Sequence, residues 1–299
     1  MNTPTRSATA AALDLGPVGI WSAPIRFAPG GAGIDAASQL ERLGFSAVWV
    51  PGGIDNGVLK TLDALLTATS TIKVGSGILN IWKHDPADVA AWWNGQSPQR
   101  QKRLILGLGV SHAPLIGDSY QQPLAKMRTY LDALQAVGMP LDHVCLAALG
   151  PKMLELAGQR TGGAHPYFVS VRHTAFARKT LGPRALLAPE QGVVLESSPA
   201  KAREIAREFL RHYAQLPNYA NNWLRDGFTQ QDLDSLSDRL IDTLIAWGDI
   251  DAIAARVDQH LAAGADHVCL QVITAGGMRS PLSEHIEPWQ QLSKLLDRL

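Results

Sequence analysis

The sequence predicts an α/β fold of the (β/α)8 TIM-barrel class, with a helical insertion between strands seven and eight. Three observations carry this. The pentapeptide DHVCL occurs at Asp142–Leu146 and again at Asp266–Leu270. Each copy follows a stretch with helical spacing of apolar residues, Met127, Tyr130, Leu131, Leu134 and Val137 before the first, and Ile250, Ile253, Val257 and Leu261, with Gly264 as the stop, before the second. A third unit of the same design places Ala36, Leu40 and Leu43 on one stripe, stops at Gly44 and runs into an apolar strand. Counting such strands gives eight, the number that closes a barrel.

The strands in order are Val18–Trp21, Ser46–Val50, Ile72–Ile78, Arg103–Leu108, His143–Ala148, Ala164–Val169, Gly192–Glu196 and His267–Ile273. They read as short, nearly continuous apolar runs because a parallel sheet is covered on both faces. Helices are expected at about Gly33–Leu43, Val58–Ser70, Pro86–Asn94, Gln122–Val137, Pro151–Gln159, Thr174–Leu181 and Ala200–Gln215, with Leu282–Leu299 closing the ring. The segment PNYANNWLRDGFTQQDLDSLSDRLIDTLIAWGD adds helical material, read as two helices, before the last repeat. Residues 16–299 form one domain after a loose tail at 1–15, and an open, doubly wound sheet is the alternative topology.

The 27 basic and 27 acidic side chains cancel and 46% of residues are apolar, which argues for a large core and against nucleic acid or an anionic membrane as partner. No apolar run approaches membrane-spanning length. Cys145 and Cys269 lie inside the two DHVCL strands, with no paired framework, which favours a reducing, cytoplasmic compartment. No His pair has metal-ligand spacing with a suitable acid, and His143 and His267 read as structural.

Chemistry is expected in the loops after the strands. Two Gly in VGSGILNIWKHDP mark a bulge or close approach at the third strand's end. Gly107 and Gly109 alternate along the fourth strand, with Ser111 and His112 just beyond, and Gly150 precedes Pro151 at a helix start after the fifth. The segment ITAGGMRSP, with Gly276, Gly277 and Arg279, is a secondary candidate for a phosphate cradle.

Together GPVGIWS, FSAVWVPGG, IKVGSGILNIWKHDP, RLILGLGVSH, LGPKMLELAG and AHPYFVSVRHT resemble, in order, the strand-and-loop signatures of the luciferase-like monooxygenase superfamily. The closer likeness is to its branch of oxidoreductases using the deazaflavin coenzyme F420, and it runs from about Gly16 to Ile273. The resemblance implies a TIM barrel, usually a homodimer, with F420 or alternatively FMN at the C-terminal mouth. It implies a non-proline cis peptide at Gly77–Ile78 backing the deazaflavin, with Val110 and Ser111 lining the ring. Gly150 and Pro151 correspond to the loop at the coenzyme's tail, where helix N–H groups suit a phosphate. Arg172, His173 and Thr174 fall at the next such helix start and are expected to bind the cofactor as well, with ordinary capping by Thr174 as the alternative.

His112 matches a position where relatives carry an acid near the reacting carbon, and a cofactor-orienting role stands beside proton transfer. Alcohol and sugar-phosphate dehydrogenases of the family carry an Asp-His pair after the second strand, where this chain has Gly52 and Gly53. That departure moves the expectation from alcohol oxidation towards reduction of an activated double bond in a small organic substrate, with His84 a substitute base or a plain loop residue. Trp21 and Trp82, with Gly52 and Gly53, would wall the substrate pocket, while Trp49 reads equally as core. An FMN-dependent monooxygenase and a barrel without catalysis are the rival readings.

Overall fold

In a computed structural model, residues 15–53 and 55–298 are described. The expected tail lies outside the described residues except for Leu15, which is buried. Ten strands form one sheet: β1 (Val18–Trp21), β2 (Ala47–Val50), β3 (Lys73–Asn80), β4 (Leu104–Gly109), β5 (Val144–Leu146), β6 (Gly163–Ala164), β7 (Leu186–Leu187), β8 (Glu190–Val194), β9 (Ile245–Trp247) and β10 (Val268–Val272). Every pairing is parallel, in the order β7-β6-β5-β4-β3-β2-β1-β10-β8-β9. β1, β2 and β4 are buried at every position, as expected of strands covered on both faces.

The sheet curls. β7 and β8 are two pieces of one extended stretch interrupted at Ala188 and Pro189. On one flank the N–H groups of Leu186, Ala188 and Glu190 donate to the carbonyls of Gly162, Ala164 and Pro166. On the other, Leu187 and Pro189 accept from Asp266 and Cys269. The same stretch therefore bonds to the strands at both ends of the curl.

Four expectations are corrected. The run Ala164–Val169 is strand only at its start, because Pro166 has no N–H to give and Phe168 adopts a left-handed φ of 52°. The seventh strand begins before Gly192 and ends at Val194. Ile245–Trp247, expected within helical material, is the strand β9 against β8. Between Pro217 and Leu244 the chain forms three helices rather than two: Pro217–Arg225, Gln230–Ser235 and Asp238–Leu244.

Packing falls into three clusters. The largest joins the sheet to its outer helices. A second, around Phe168, Phe209, Trp223 and Leu240, holds the helices that follow β8. A third lies inside the curl and includes Trp21, Trp49, Ile105, Cys145 and Cys269. The two DHVCL copies sit in β5 and β10 and make equivalent contacts. His143 Nδ1–H donates to the Leu104 carbonyl at 3.1 Å, and His267 Nδ1–H to the Gly16 carbonyl at 2.8 Å. Both cysteines are free and buried, and burial pushes the Cys145 thiol up to about 12, so both are inert thiols. No described helix is long and apolar enough to cross a membrane.

Candidate active site

A cavity of about 530 Å³ opens at the C-terminal ends of the strands. Its floor is β3. The register with β4 shifts between Ser76 and Leu79, and the Gly77–Ile78 peptide is cis. The bulge needs room, and glycines on both flanking strands give it. A Cβ at Gly52 would lie 1.8 Å from the Ile78 carbonyl oxygen, one at Gly107 1.9 Å from the Ser76 oxygen, and one at Gly109 2.5 Å from the Ile78 side chain. A side chain at Gly52 therefore cannot be accommodated without moving the β3 bulge.

Over Gly77 stand two buried nitrogens without partners among the described residues, Trp21 Nε1 and His165 Nε2. His165 is stacked on Trp49 with ring centroids 4.4 Å apart, and its Nδ1–H donates to the Ala188 carbonyl at 2.7 Å. Burial brings it down to about 4, so it is a neutral ring presenting the Nε2 lone pair.

The wall after β4 is Val110, Ser111 and His112. Ser111 holds a left-handed φ of 57°, and its carbonyl accepts from Asn218 Nδ2 at 3.1 Å. His112 has a buried, unpartnered Nδ1 and lies 5.3 Å from the Tyr219 ring. Burial first, and the nearby His212 second, bring it down to about 4, so it is neutral at neutral pH. The roof is aromatic: Tyr167, Tyr213 and Tyr219, with the Tyr167 hydroxyl donating to Gln271 Oε1 at 2.6 Å and lying 3.3 Å from the Tyr213 hydroxyl. At the rim, Arg225 approaches Gly150, the N-cap of helix Pro151–Arg160, where no side chain caps the free N–H groups. A cation beside open helix N–H groups suits an anion.

Residues 19–267 match the luciferase-like monooxygenase family. The chain belongs to that family. A methylenetetrahydromethanopterin reductase of Methanolobus tindarius is 29% identical over 179 residues, 49% of this luciferase-like chain and 55% of the relative, so the match spans about half of that protein. Among solved structures, an F420-dependent secondary alcohol dehydrogenase bound to an F420–acetone adduct superposes with a TM-score of 0.69 at 15% identity, covering 94% of this chain and 98% of that one. The F420-dependent tetrahydromethanopterin reductase of Methanopyrus kandleri gives 0.65 at 16%, covering 93% and 96%. The FMN-bound oxygenating constituent of 3,6-diketocamphane monooxygenase from Pseudomonas putida gives 0.67 at 15%, covering 94% and 97%.

Of the residues singled out in this luciferase-like sequence, the cavity gathers Trp21, Gly52, Gly53, Gly77, Ile78, Val110, Ser111, His112 and Gly150. Five others stand back from it. Pro151 is the first helical residue behind Gly150. Trp82 props the wall, donating from Nε1 to the Val110 carbonyl at 2.7 Å. Arg172 is paired with Asp226 at 2.7 Å, His173 Nε2 is bonded to the Leu149 carbonyl at 2.9 Å, and Thr174 Oγ1 to His260 Nδ1 at 2.8 Å. The cap of that helix is Ser170, whose Oγ accepts from the His173 N–H, and not Thr174. His84 also lies off the cavity, in the neighbourhood of Arg26, whose guanidinium binds the carbonyls of Pro51 and Gly52 and the Asp55 carboxylate.

The sequence reading missed His165, Tyr167, Tyr213, Asn218, Tyr219 and Arg225, all cavity residues. Behind them Glu190 is wholly buried. Its Oε2 accepts from the Phe168 N–H at 3.0 Å, and burial pushes the carboxyl up to about 8. Among the described residues no cluster of three or more His, Cys, Asp or Glu is fit to hold a metal.

Proposed function

We propose that this luciferase-like protein is an oxidoreductase that binds coenzyme F420 in the cavity and reduces an activated double bond in a small organic substrate. The observation that carries the reading is the floor: a bulge at Gly77–Ile78 accommodated by Gly52, Gly107 and Gly109 beneath an apolar cavity of the size small-molecule sites have. The curled sheet is read as a (β/α)8 barrel with the helices after β8 inserted over its mouth.

Gly77 and Ile78 would back the planar ring, Val110 and Ser111 would meet its edge, and the N–H groups after Gly150 with Arg225 would hold a phosphate. Arg172, His173 and Thr174 would fix the wall carrying Gly150 rather than touch the coenzyme. When bound, the reduced deazaflavin supplies a hydride from its C5. The chain's part is to exclude water with Tyr167, Tyr213 and Tyr219 and to place His112 beside the acceptor carbon. A neutral His112 serves as a hydrogen-bond donor to the activating group or relays a proton from solvent to the anion that hydride addition leaves on the substrate, and His112→Ala is expected to lower turnover by about 10²-fold. Wild-type kcat/KM should stay level across neutral pH and fall only as His112 protonates near 4, so a fall centred near 6.5 would count against this role. The working form is taken as a homodimer in the cytoplasm; sedimentation of the purified protein tests the dimer, and fractionation of the source cells tests the compartment.

The deciding experiment is a fluorescence titration of the apoprotein with F420 beside one with FMN. Saturable F420 binding with little FMN binding is expected. FMN binding alone would move the protein to flavin-dependent monooxygenation, which the FMN-bound neighbour makes the second reading, and binding of neither would leave a barrel without catalysis.

A further inference from the structure

A second cavity of about 460 Å³ opens beside the first and shares His212 and Met278 with it. One side is the last turn of helix Pro199–Ala214, which brings Arg211 and His212, with Glu208 one turn earlier. The other is the loop after β10, with Gly276, Gly277 and Arg279. That loop is built rather than slack. Thr274 Oγ1 donates to Glu284 Oε2 at 2.6 Å, Ser280 Oγ reaches the same oxygen at 2.8 Å, and the two hydroxyls are 2.6 Å apart, so both ends of the turn are pinned. At its tip Gly277 has φ 61° and open space in front of it.

The charges in this cleft are two guanidinium groups against one carboxylate. Arg211 meets Glu208 only at 3.4 Å, both side chains well exposed, which leaves most of its donors unused. Arg279 makes no ion pair among the described residues. A planar fork of donors on each side of a cleft is what binds a carboxylate or phosphate oxygen pair. His212 lines both cavities, so the cleft and the pocket that holds His112 share a wall.

We propose that the cleft between Arg211 and Arg279 is the subsite for an anionic end of the substrate, so that this enzyme's substrates are small organic acids whose reacting carbon lies in the aromatic cavity and whose carboxylate or phosphate lies in the cleft. The proposal rests on the reductase reading for the reacting half only. The coenzyme's own tail is a second source of negative charge. The open helix start at Gly150 and Arg225 serves that tail instead, and it follows β5, which is not a neighbour of β10 in the sheet.

The test is direct binding of matched pairs, trans-cinnamate with methyl cinnamate and trans-2-hexenoate with its methyl ester, followed by calorimetry with and without F420. It compares wild type with the double variant Arg211→Ala/Arg279→Ala. Each acid should bind wild type at least about tenfold tighter than its ester, the size of one charge-assisted hydrogen bond, and the preference should shrink to about twofold in the variant. F420 affinity should be the same in both proteins. Esters binding as well as acids, no acid binding, or a preference surviving in the variant would each overturn the subsite. Loss of F420 affinity in the variant would assign the cleft to the coenzyme tail and overturn it as well. Failure of wild type to bind F420 with acid preference intact would sink the reductase reading alone.

Discussion

Replacing Gly52 by Ala is expected to weaken binding of F420 or FMN by at least about tenfold while leaving a folded protein. The new Cβ would sit 1.8 Å from the Ile78 carbonyl oxygen and within 3.0 Å of the Leu79 Cα, both backbone atoms that no rotamer change can move aside. Overpacking of this kind destabilises by ~1–3 kcal/mol, and here the relief must come from displacing the floor of the cavity. An affinity loss of at least about tenfold needs only ~1.4 kcal/mol of misplaced contact. Fluorescence titration beside a thermal melt checks this, with Gly95→Ala as control, since a Cβ there makes only ordinary contacts at 3.5 Å. Binding unchanged in Gly52→Ala would mean the cofactor does not rest on β3.

The second large effect is in stability. Glu190→Gln is expected to remove most of the loss of stability that wild type shows as pH rises from mildly acidic to mildly alkaline. Burial raises the Glu190 carboxyl from its ordinary 4.5 to about 8, among Tyr167, Tyr213, Tyr219 and Cys269. Between those two values the folded chain holds a proton that the unfolded chain has released. Stability from this group is therefore full below 4.5 and is lost as pH rises through 8. At ~1.4 kcal/mol per pKa unit the difference amounts to a few kcal/mol. The buried histidines act in the opposite direction: His112, His165 and His285 are each brought down to about 4, so their contribution is lost as pH falls below 6.5. Melting curves from about pH 5 to about pH 9 separate the two, because Gln copies the neutral acid and cannot ionise. Parallel curves for wild type and Glu190→Gln would show that Glu190 is charged in the fold.

The fold was readable where each strand announces itself by an unbroken apolar run after a Gly-terminated helix, as at Ser46–Val50 and in both DHVCL copies. It was unreadable where the sequence carries no punctuation. Ile245–Trp247 continues an apolar helical pattern from Asp238 with neither Gly nor Pro between, and only its pairing with β8 makes it a strand. The segment Ala164–Val169 misled in the other direction, since its apolar run Tyr167–Val169 reads as strand although Pro166 precedes it and Phe168, its N–H bonded to Glu190, is left-handed. At the site, glycines were legible because a missing side chain at a strand end has few other causes. The aromatic roof was not, because Tyr213 and Tyr219 look like the buried faces of two surface helices until those helices are seen to cross the mouth. Arg172 illustrates the converse: a cation at a helix start looked like a ligand for phosphate, and Asp226 from a distant segment claims it.

The hydrogen bond from Asn218 to the Ser111 carbonyl links the helix Pro217–Arg225 to the loop that carries His112. That one helix also contributes Tyr219, Asn221 and Arg225 to the cavity, whereas the floor is assembled from residues scattered over β2, β3 and β4 and their ends. The two sides of the cavity are thus built at different scales: the floor is shared among three strand ends, while one edge of the roof and the rim come from a single short helix. Exchanging residues 216–227 would alter Tyr219, Asn221, Arg225 and the hold on the Ser111 carbonyl in one step, so the rim can be varied as one short peptide while the strand ends stay as they are.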